Sequence, residues 1–280
     1  MWSSGATTWI VGGPEFPSEG FILRSTGSGF APAVAAVPSR LLCIWGSGPS
    51  DIWTAGEKGL LMHFDGTTWT TVPRKTTEAL NSIWGSGPAD VWAAGDSGTL
   101  LHYDGKAWTT VPVVTNTNYS FYSVASTGPS DIVIGGSLQT SGTTGTQTEG
   151  AIFAYNGSTW TQVATPARTV RDVWLASPTS GRAVGDAGLI YYRSGGSWTG
   201  ADLTNMGRVY WSTWSTGSTE YIVGTGGYIG LATPGTTTVQ PVTPSSPTPN
   251  TLVSVFGTSS ADVWAVGYSC TLARSEEHTS

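Results

Sequence analysis

Few residues in this 280-residue chain have the types and spacing that chemistry needs. His63 and His102 occupy matching places in two near-identical segments, and a pair of histidines is a way to begin a metal site. The corresponding residues in the other segments are Ala154 and Tyr192, and no third ligand type recurs with them. They are therefore read as packing residues, with no metal and no cofactor expected. Cleavage of an acidic sugar would ask for clustered arginines to hold the substrate carboxylate, a tyrosine nucleophile and an acidic partner. Arg24, Arg40, Arg74, Arg168, Arg171, Arg182, Arg193 and Arg208 are present but do not share a register. Asp172 and Arg171 are adjacent and so point to opposite faces of one strand. No nucleophile and base pair up, and no catalytic residue is assigned. Cys43 and Cys270 would pair only if closure of the fold brought them together, and no disulfide is assigned.

The 14 tryptophans are the other chemically suggestive set, because indole faces stack on sugars. Their regularity argues for a core. Trp53, Trp92 and Trp264 match one another, as do Trp69, Trp108, Trp160 and Trp198. An aromatic side chain buries about 150–250 Å², worth several kcal/mol at about 25 cal/mol per Å². Two residues depart from the pattern. Trp211, beside Trp214, is outside the tryptophan register, and Arg182 stands where Trp53 and Trp92 stand elsewhere. These two are the candidate ligand contacts.

The elements that must position them are legible from an internal repeat. Residues 41–73 read LLCIWGSGPSDIWTAGEKGLLMHFDGTTWTTVP, and residues 80–112 read LNSIWGSGPADVWAAGDSGTLLHYDGKAWTTVP. Taking Trp45 as marker, its equivalents are Trp2, Trp84, Ala125, Trp174, Trp214 and Phe256, with steps of 43, 39, 41, 49, 40 and 42 residues. Each unit divides into four strand segments. In the third they are Leu80 to Trp84, Val91 to Ala94, Thr99 to Tyr103, and Trp108 to Val111. The second is apolar on both faces, as suits a sheet covered on both sides. A period near forty in a strand-rich chain predicts an all-β fold, a β-propeller of four-stranded blades: six if the last repeat's first strand completes blade 1, or seven or more with the repeats cut at both ends. Gly, at 38 residues, and charged residues, at 11%, fit many short strands and tight turns.

Turn chemistry agrees. Asp65-Gly66, Asp104-Gly105 and Asn156-Gly157 precede Trp69, Trp108 and Trp160, and such dipeptides tolerate the positive φ of a two-residue hairpin. Asp51, Asp90, Asp131 and Asp262 end another recurring turn, which their side chains are able to cap.

The pattern resembles repeats of secreted bacterial β-propeller proteins with the signature IWGSGPsDVWAVGdsGTLLHYDGtsWT. It is similar at greater distance to bacterial neuraminidase repeats with their Asp-box, and to photosystem II assembly-factor propellers. Here Asp and Gly are adjacent, as at Asp104-Gly105, where an Asp-box separates them by one residue. The resemblance implies an extracellular or cell-envelope location, although no signal-peptide pattern is visible at Met1-Trp2. Residues 274–280, RSEEHTS, resemble the in-frame translation of a sequencing-library adapter, so the repeat domain is taken as 1–273. Tyr268 and Cys270 stand where other repeats have Asp96 and Gly98, and are suspected read errors.

The first repeat offers strands at Thr8 to Val11, Phe21 to Arg24 and Ala33 to Val37. In an antiparallel blade the 1–2 and 3–4 turns share one face, and the 2–3 and 4–1 connections share the other. The irregular insertions, Gly13 to Gly20, Ser137 to Gly150 and Pro234 to Asn250, fall on the second face, where loops on a rigid scaffold carry function. Net charge −6, with Lys58, Lys75 and Lys106 scattered, excludes a nucleic-acid surface. No apolar run is long enough to span a membrane. The expectation is a non-catalytic binding or scaffolding propeller whose ligand, a protein or a glycan, is held on the irregular face. The alternative is a glycan-cleaving hydrolase related to Asp-box propellers.

Overall fold

A computed structural model describes residues 1–14, 19–26, 28–113, 118–142, 145–202, 207–242, 249–260, 262–268 and 271–274. It is an all-β propeller of seven antiparallel blades. Every blade is formed by strands consecutive in sequence, and six have four strands. Blade 1 has its own first strand, with Trp2 opposite Trp9. Blade 7 is a separate sheet with strands Leu252–Ser259, Asp262–Gly267 and Leu272–Arg274. The last repeat therefore does not complete blade 1, which removes the six-bladed alternative. Arg274 pairs with Trp264 at the end of blade 7, and 275–280 lie outside the described residues. The chain divides into two compact units, Met1–Pro129 and one beginning at Ser130.

Blade 3 shows why these residues make these sheets. Its strands are Leu80–Gly87, Asp90–Gly95, Leu100–Tyr103 and Trp108–Thr110. Val91, Trp92, Ala93 and Ala94 are all buried, so the second strand packs on both faces. The fourth strand is half-exposed and Thr-rich, as an outer edge tolerates.

The turns differ in detail from expectation. The Asp-Gly pair is not itself the centre of the hairpin. Asp65 pairs with Thr68 (N–H to carbonyl, 3.3 Å), so Gly66 and Thr67 are the central residues and Gly66 has φ 96°. A glycine-first turn of this kind requires positive φ at that position. Asp65 Oδ1 accepts the amides of Thr67 and Thr68, both at 2.8 Å. Asp104 and Asn156 repeat this arrangement. Hydrogen bonds from Thr67 and Thr68 hold the Asp65 carboxyl well below the usual carboxylate range. A Cβ on Gly105 would meet Ala89 Cβ at 2.7 Å, which places the 3–4 turn against the 1–2 turn of its own blade.

A second glycine is fixed by close approach. A Cβ on Gly95 would lie 2.1 Å from the Ala79 carbonyl oxygen. That carbonyl accepts the Asp96 amide, and the same bond recurs as Glu57 to Arg40, Asp186 to Thr169, Thr225 to Val209 and Tyr268 to Thr251. In blades 2, 3, 5, 6 and 7 the 2–3 turn is thereby tied to the residue before the blade's first strand. Tyr268 keeps this bond with a largely exposed side chain.

Three sequence assignments need correction. The fourth strand of blade 1 is Gly29–Pro32, not 33–37, and Phe30 takes the place of the usual tryptophan opposite Ser25. Val37 is instead buried and bridges Gly20. The stretch Ser137 to Gly150 is not an irregular loop but a continuation of the ladder, paired from Ser137↔Gly150 to Gly142↔Gly145. The ladder itself satisfies the backbone of these paired residues, although they include few apolar side chains. Finally, Val239–Pro241 is the fourth strand of blade 6, so residues 234–238 belong to a 3–4 turn on the opposite face. That turn lacks the Asp-Gly-x-x-Trp signature, which hid it. Residues 15–18 and 243–248 of the other insertions lie outside the described residues.

Within each unit the blades are stitched by the third residue of the first strand. Ser82 Oγ accepts the Val124 amide (3.1 Å), and Asp172 Oδ2 accepts the Thr213 amide (2.9 Å). Ser212 donates to Asp172 (2.9 Å) and accepts the Val255 amide (3.2 Å), joining blades 5, 6 and 7. Cys43 occupies the same register, its thiol a free one pushed up to about 12 by burial. Cys270 lies outside the described residues.

Candidate functional site

The matched tryptophans form the walls between blades. Trp9 meets Trp69 of the next blade at 5.6 Å between ring centroids and 75°, and Trp53 meets Trp108 at 5.3 Å and 76°. The histidines belong to this wall. His63 stacks on Trp53 and His102 on Trp92, each at 4.0 Å. His63 Nε2 lies 2.7 Å from Asp51 Oδ1, and Asp51 also accepts Trp53 Nε1 (3.1 Å) and Ser47 Oγ (2.5 Å). Asp90 does the same for His102, Trp92 and Ser86. Burial opposes ionisation of Asp90, but these hydrogen bonds outweigh it and hold its carboxyl below the ordinary value. Serine, aspartate and histidine are together here, yet the serine bonds the aspartate rather than the imidazole. No nucleophile is activated by that order. Among the described residues no group of three metal-ligating side chains is arranged around a common point.

Arg182 is fully buried, at 0% exposure, in the wall between blades 5 and 6. Its Nε donates to Glu220, which is 3% exposed, and its Nη1 and Nη2 donate to the carbonyls of Thr236 (2.9 Å) and Thr233 (3.0 Å). The reason lies in blade 6, where Val239 replaces the fourth-strand tryptophan and the 3–4 turn is longer. An arginine reaching into that turn fills the space that an indole pair fills elsewhere. Its donors are committed to protein acceptors.

Trp211 is placed differently. It is the second residue of its blade's first strand, Tyr210–Ser215, and so shares register with Asn81, Tyr122 and Arg171. Arg171 of the preceding blade lies over its ring, Cζ 4.8 Å from the centroid. Arg171 is itself held by Asp186 in a bidentate pair, Nε to Oδ1 at 2.7 Å and Nη2 to Oδ2 at 3.0 Å. Trp211 is half-buried, and among the described residues its indole N–H has no hydrogen-bond partner. In blade 3 an uncharged amide makes the corresponding link, Asn81 Nδ2 bonding the Asp96 carboxylate (2.9 Å) and the Phe121 carbonyl (3.0 Å).

Sequence reasoning missed the partner of this pair. Exposed Arg208 lies over Tyr228, Cζ 4.4 Å from the ring centroid, and its carbonyl accepts the Gly188 amide at 2.8 Å. Tyr228 packs at a tilt against buried Tyr210, ring centroids 5.4 Å apart at 36°, and burial pushes the Tyr210 phenol far up. Two guanidinium–aromatic pairs thus share one stretch of blades 5 and 6, on the face of the 2–3 turns and 4–1 connections. The remaining arginines disperse. Arg193 bonds Asp131 (2.8 Å), and Arg40 lies 3.9 Å from Glu57. Asp172 is taken up by Ser212, Thr213 and Val173. Among the described residues these carboxylates and arginines therefore serve separate joints and do not converge on one substrate position. No helix among the described residues is long and apolar enough to cross a membrane.

No family model and no curated protein matches the chain. Solved structures do. A structure of YCF48 bound to a D1 peptide is similar with a TM-score of 0.67 at 15% identity, over 95% of this chain and 94% of that one. YCF48 from Cyanidioschyzon merolae gives 0.66 at 13% identity, over 96% and 98%. The WD40 propeller domain of Doa1 gives 0.66 at 10% identity, over 85% and 80%. At these identities the likeness is one of fold, and the fold it shows is the β-propeller.

Proposed function

We propose that this chain is a non-catalytic, protein-binding propeller that holds an extended peptide segment across Trp211, Arg171 and Arg208. The observation that carries this reading is the pairing of two guanidinium groups with Trp211 and Tyr228 on the face of the 2–3 turns. Aromatic rings and arginines are the side chains that dominate binding energy at protein interfaces. An arginine over an aromatic face gives apolar area and charge together. Arg171 is already paired with Asp186, so the charge that favours an acidic segment is that of Arg208, acting locally against the chain's net charge of −6. The similar YCF48 structure, bound to a D1 peptide, supports a peptide ligand over a glycan. Dispersal of the carboxylates speaks against the hydrolase alternative. An extracellular or cell-envelope setting rests on the repeat resemblance alone.

The test is binding of the whole chain to an array of synthetic peptides of graded charge, beside a glycan array. Acidic peptides should be retained, and Trp211→Ala and Arg208→Glu should each weaken retention about tenfold or more, a change of about 1.4 kcal/mol. Retention of glycans instead, or unchanged retention by both variants, would contradict the proposal.

A further inference from the structure

Blade 1 departs from its neighbours at one wall position, and the departure leaves a cation over a cavity. In blades 2 and 3 the residue opposite the wall tryptophan is a histidine held by an aspartate. In blade 1 the residue opposite Trp9 is Arg24, and Asp51 is replaced by Thr7. Arg24 lies over Trp9, Cζ 5.4 Å from the ring centroid, and is exposed. Among the described residues it has no carboxylate partner.

The groove beneath it is open to solvent on one side and has a volume of about 520 Å³. Trp9, Phe64 and Trp69 form an aromatic wall, and Pro32 and Val34 close another side. The polar lining is hydroxyl groups and Arg24. Ser25 is engaged by the Thr8 amide, and Thr67 by Asp65. The neighbouring Asp65 carboxylate is itself taken up by Thr67 and Thr68. One guanidinium, with no second cation in the lining, suits a monoanion. A phosphate ester, carrying close to two charges, would want further donors.

We infer that the groove between blades 1 and 2 is a binding site for a small organic carboxylate with an apolar body, its carboxylate on Arg24 and its body against Trp9, Phe64 and Trp69. The ligand carboxylate takes the place that Asp51 and Asp90 take beside the histidines of blades 2 and 3. This site is separate from the Trp211 patch, and neither depends on the other.

The experiment is titration of the whole chain with phenylacetate, its neutral analogue phenylacetamide, and phenyl phosphate, followed by ligand-observed NMR and calorimetry. Phenylacetate should bind with a Kd of about 1 mM or tighter. Phenylacetamide should be about tenfold weaker, as loss of a charge-assisted pair requires. Arg24→Gln should weaken phenylacetate to the level of the amide, and Arg24→Lys should retain part of the difference. Arg24 is exposed, so both variants fold, and thermal melts verify this. Equal binding of acid and amide, tighter binding of phenyl phosphate, wild-type affinity in Arg24→Gln, or no binding up to about 10 mM would each overturn the inference.

Discussion

Replacing Arg182 by methionine removes the guanidinium and leaves Glu220, 3% exposed, with no counter-charge, while the Thr236 carbonyl loses the Arg182 donor and the Thr233 carbonyl keeps only the Thr236 amide and hydroxyl. Breaking a buried pair on one side costs about 3–5 kcal/mol. Against a net stability of about 5–15 kcal/mol that is a large fraction. It corresponds to a fall in Tm of about 6–20 °C at roughly 2–4 °C per kcal/mol. The double variant Arg182→Met/Glu220→Leu removes both charges and should recover most of the loss, because apolar replacement of a whole buried pair is close to neutral. The pH dependence has a definite sign. Burial pushes the Glu220 carboxyl above its ordinary value, and Arg182 pulls it back in part. Without Arg182 the native state holds its proton more tightly than the unfolded state, so stability falls as pH rises. The deficit of Arg182→Met should therefore be larger at about pH 8 than at about pH 5. Urea melts of the wild type, both single variants and the double at these two pH values complete the cycle. A loss below about 1 kcal/mol in Arg182→Met, or a double variant no better than the single, would refute the reasoning.

Other consequences are simpler to measure. Gly105→Val forces a β-branched residue to φ 87° and places its Cβ against Ala89, so the urea midpoint should fall by about 1–3 kcal/mol in stability. Exposed Thr110→Val in the adjoining strand should stay within about 0.5 kcal/mol, and equal midpoints would contradict the turn assignment. The Asp90 carboxyl is held below its ordinary value in the fold. Its contribution is present above the unfolded value near 3.9 and is lost as pH falls through the lower folded value. Asp90→Asn should accordingly flatten the acid limb of the stability profile, and an unchanged limb would count against the His102–Asp90–Ser86 joint. The Cys43 thiol, pushed up to about 12 by burial, should resist a disulfide reagent in the native protein and react once unfolded in urea. Prompt native reaction would place it outside the wall.

The strands of blades 2 and 3 were legible because one residue pattern encodes each of their turns, from Asp51 and Asp90 to Gly66 and Gly105. Blade 1 was misread at its fourth strand because Phe30 stands in for tryptophan without the Asp-Gly turn before it. Blade 6 was misread for the same reason at Val239. Arg182 was visible as an oddity, and so was the missing tryptophan of blade 6. That the two compensate each other depends on which strand of one blade faces which strand of the next, a fact no local pattern carries. Trp211 was picked out as lying outside the tryptophan register, yet it shares the register of Arg171, and their contact follows from first strands lying side by side. Arg208 and Tyr228 come from a connection and a third strand, and only the fold brings them together.

The central claim is that ligand binds beside Trp211 on blades 5 and 6. Hydrogen–deuterium exchange of the whole chain, with and without an acidic peptide retained on the array, tests it most directly. Protection is expected in Asp186–Gly188, in residues 207–212 and in Tyr228–Ala232, and should vanish in Trp211→Ala. Protection confined to the 3–4 turns of these same two blades, residues 194–197 and 233–238, would contradict it.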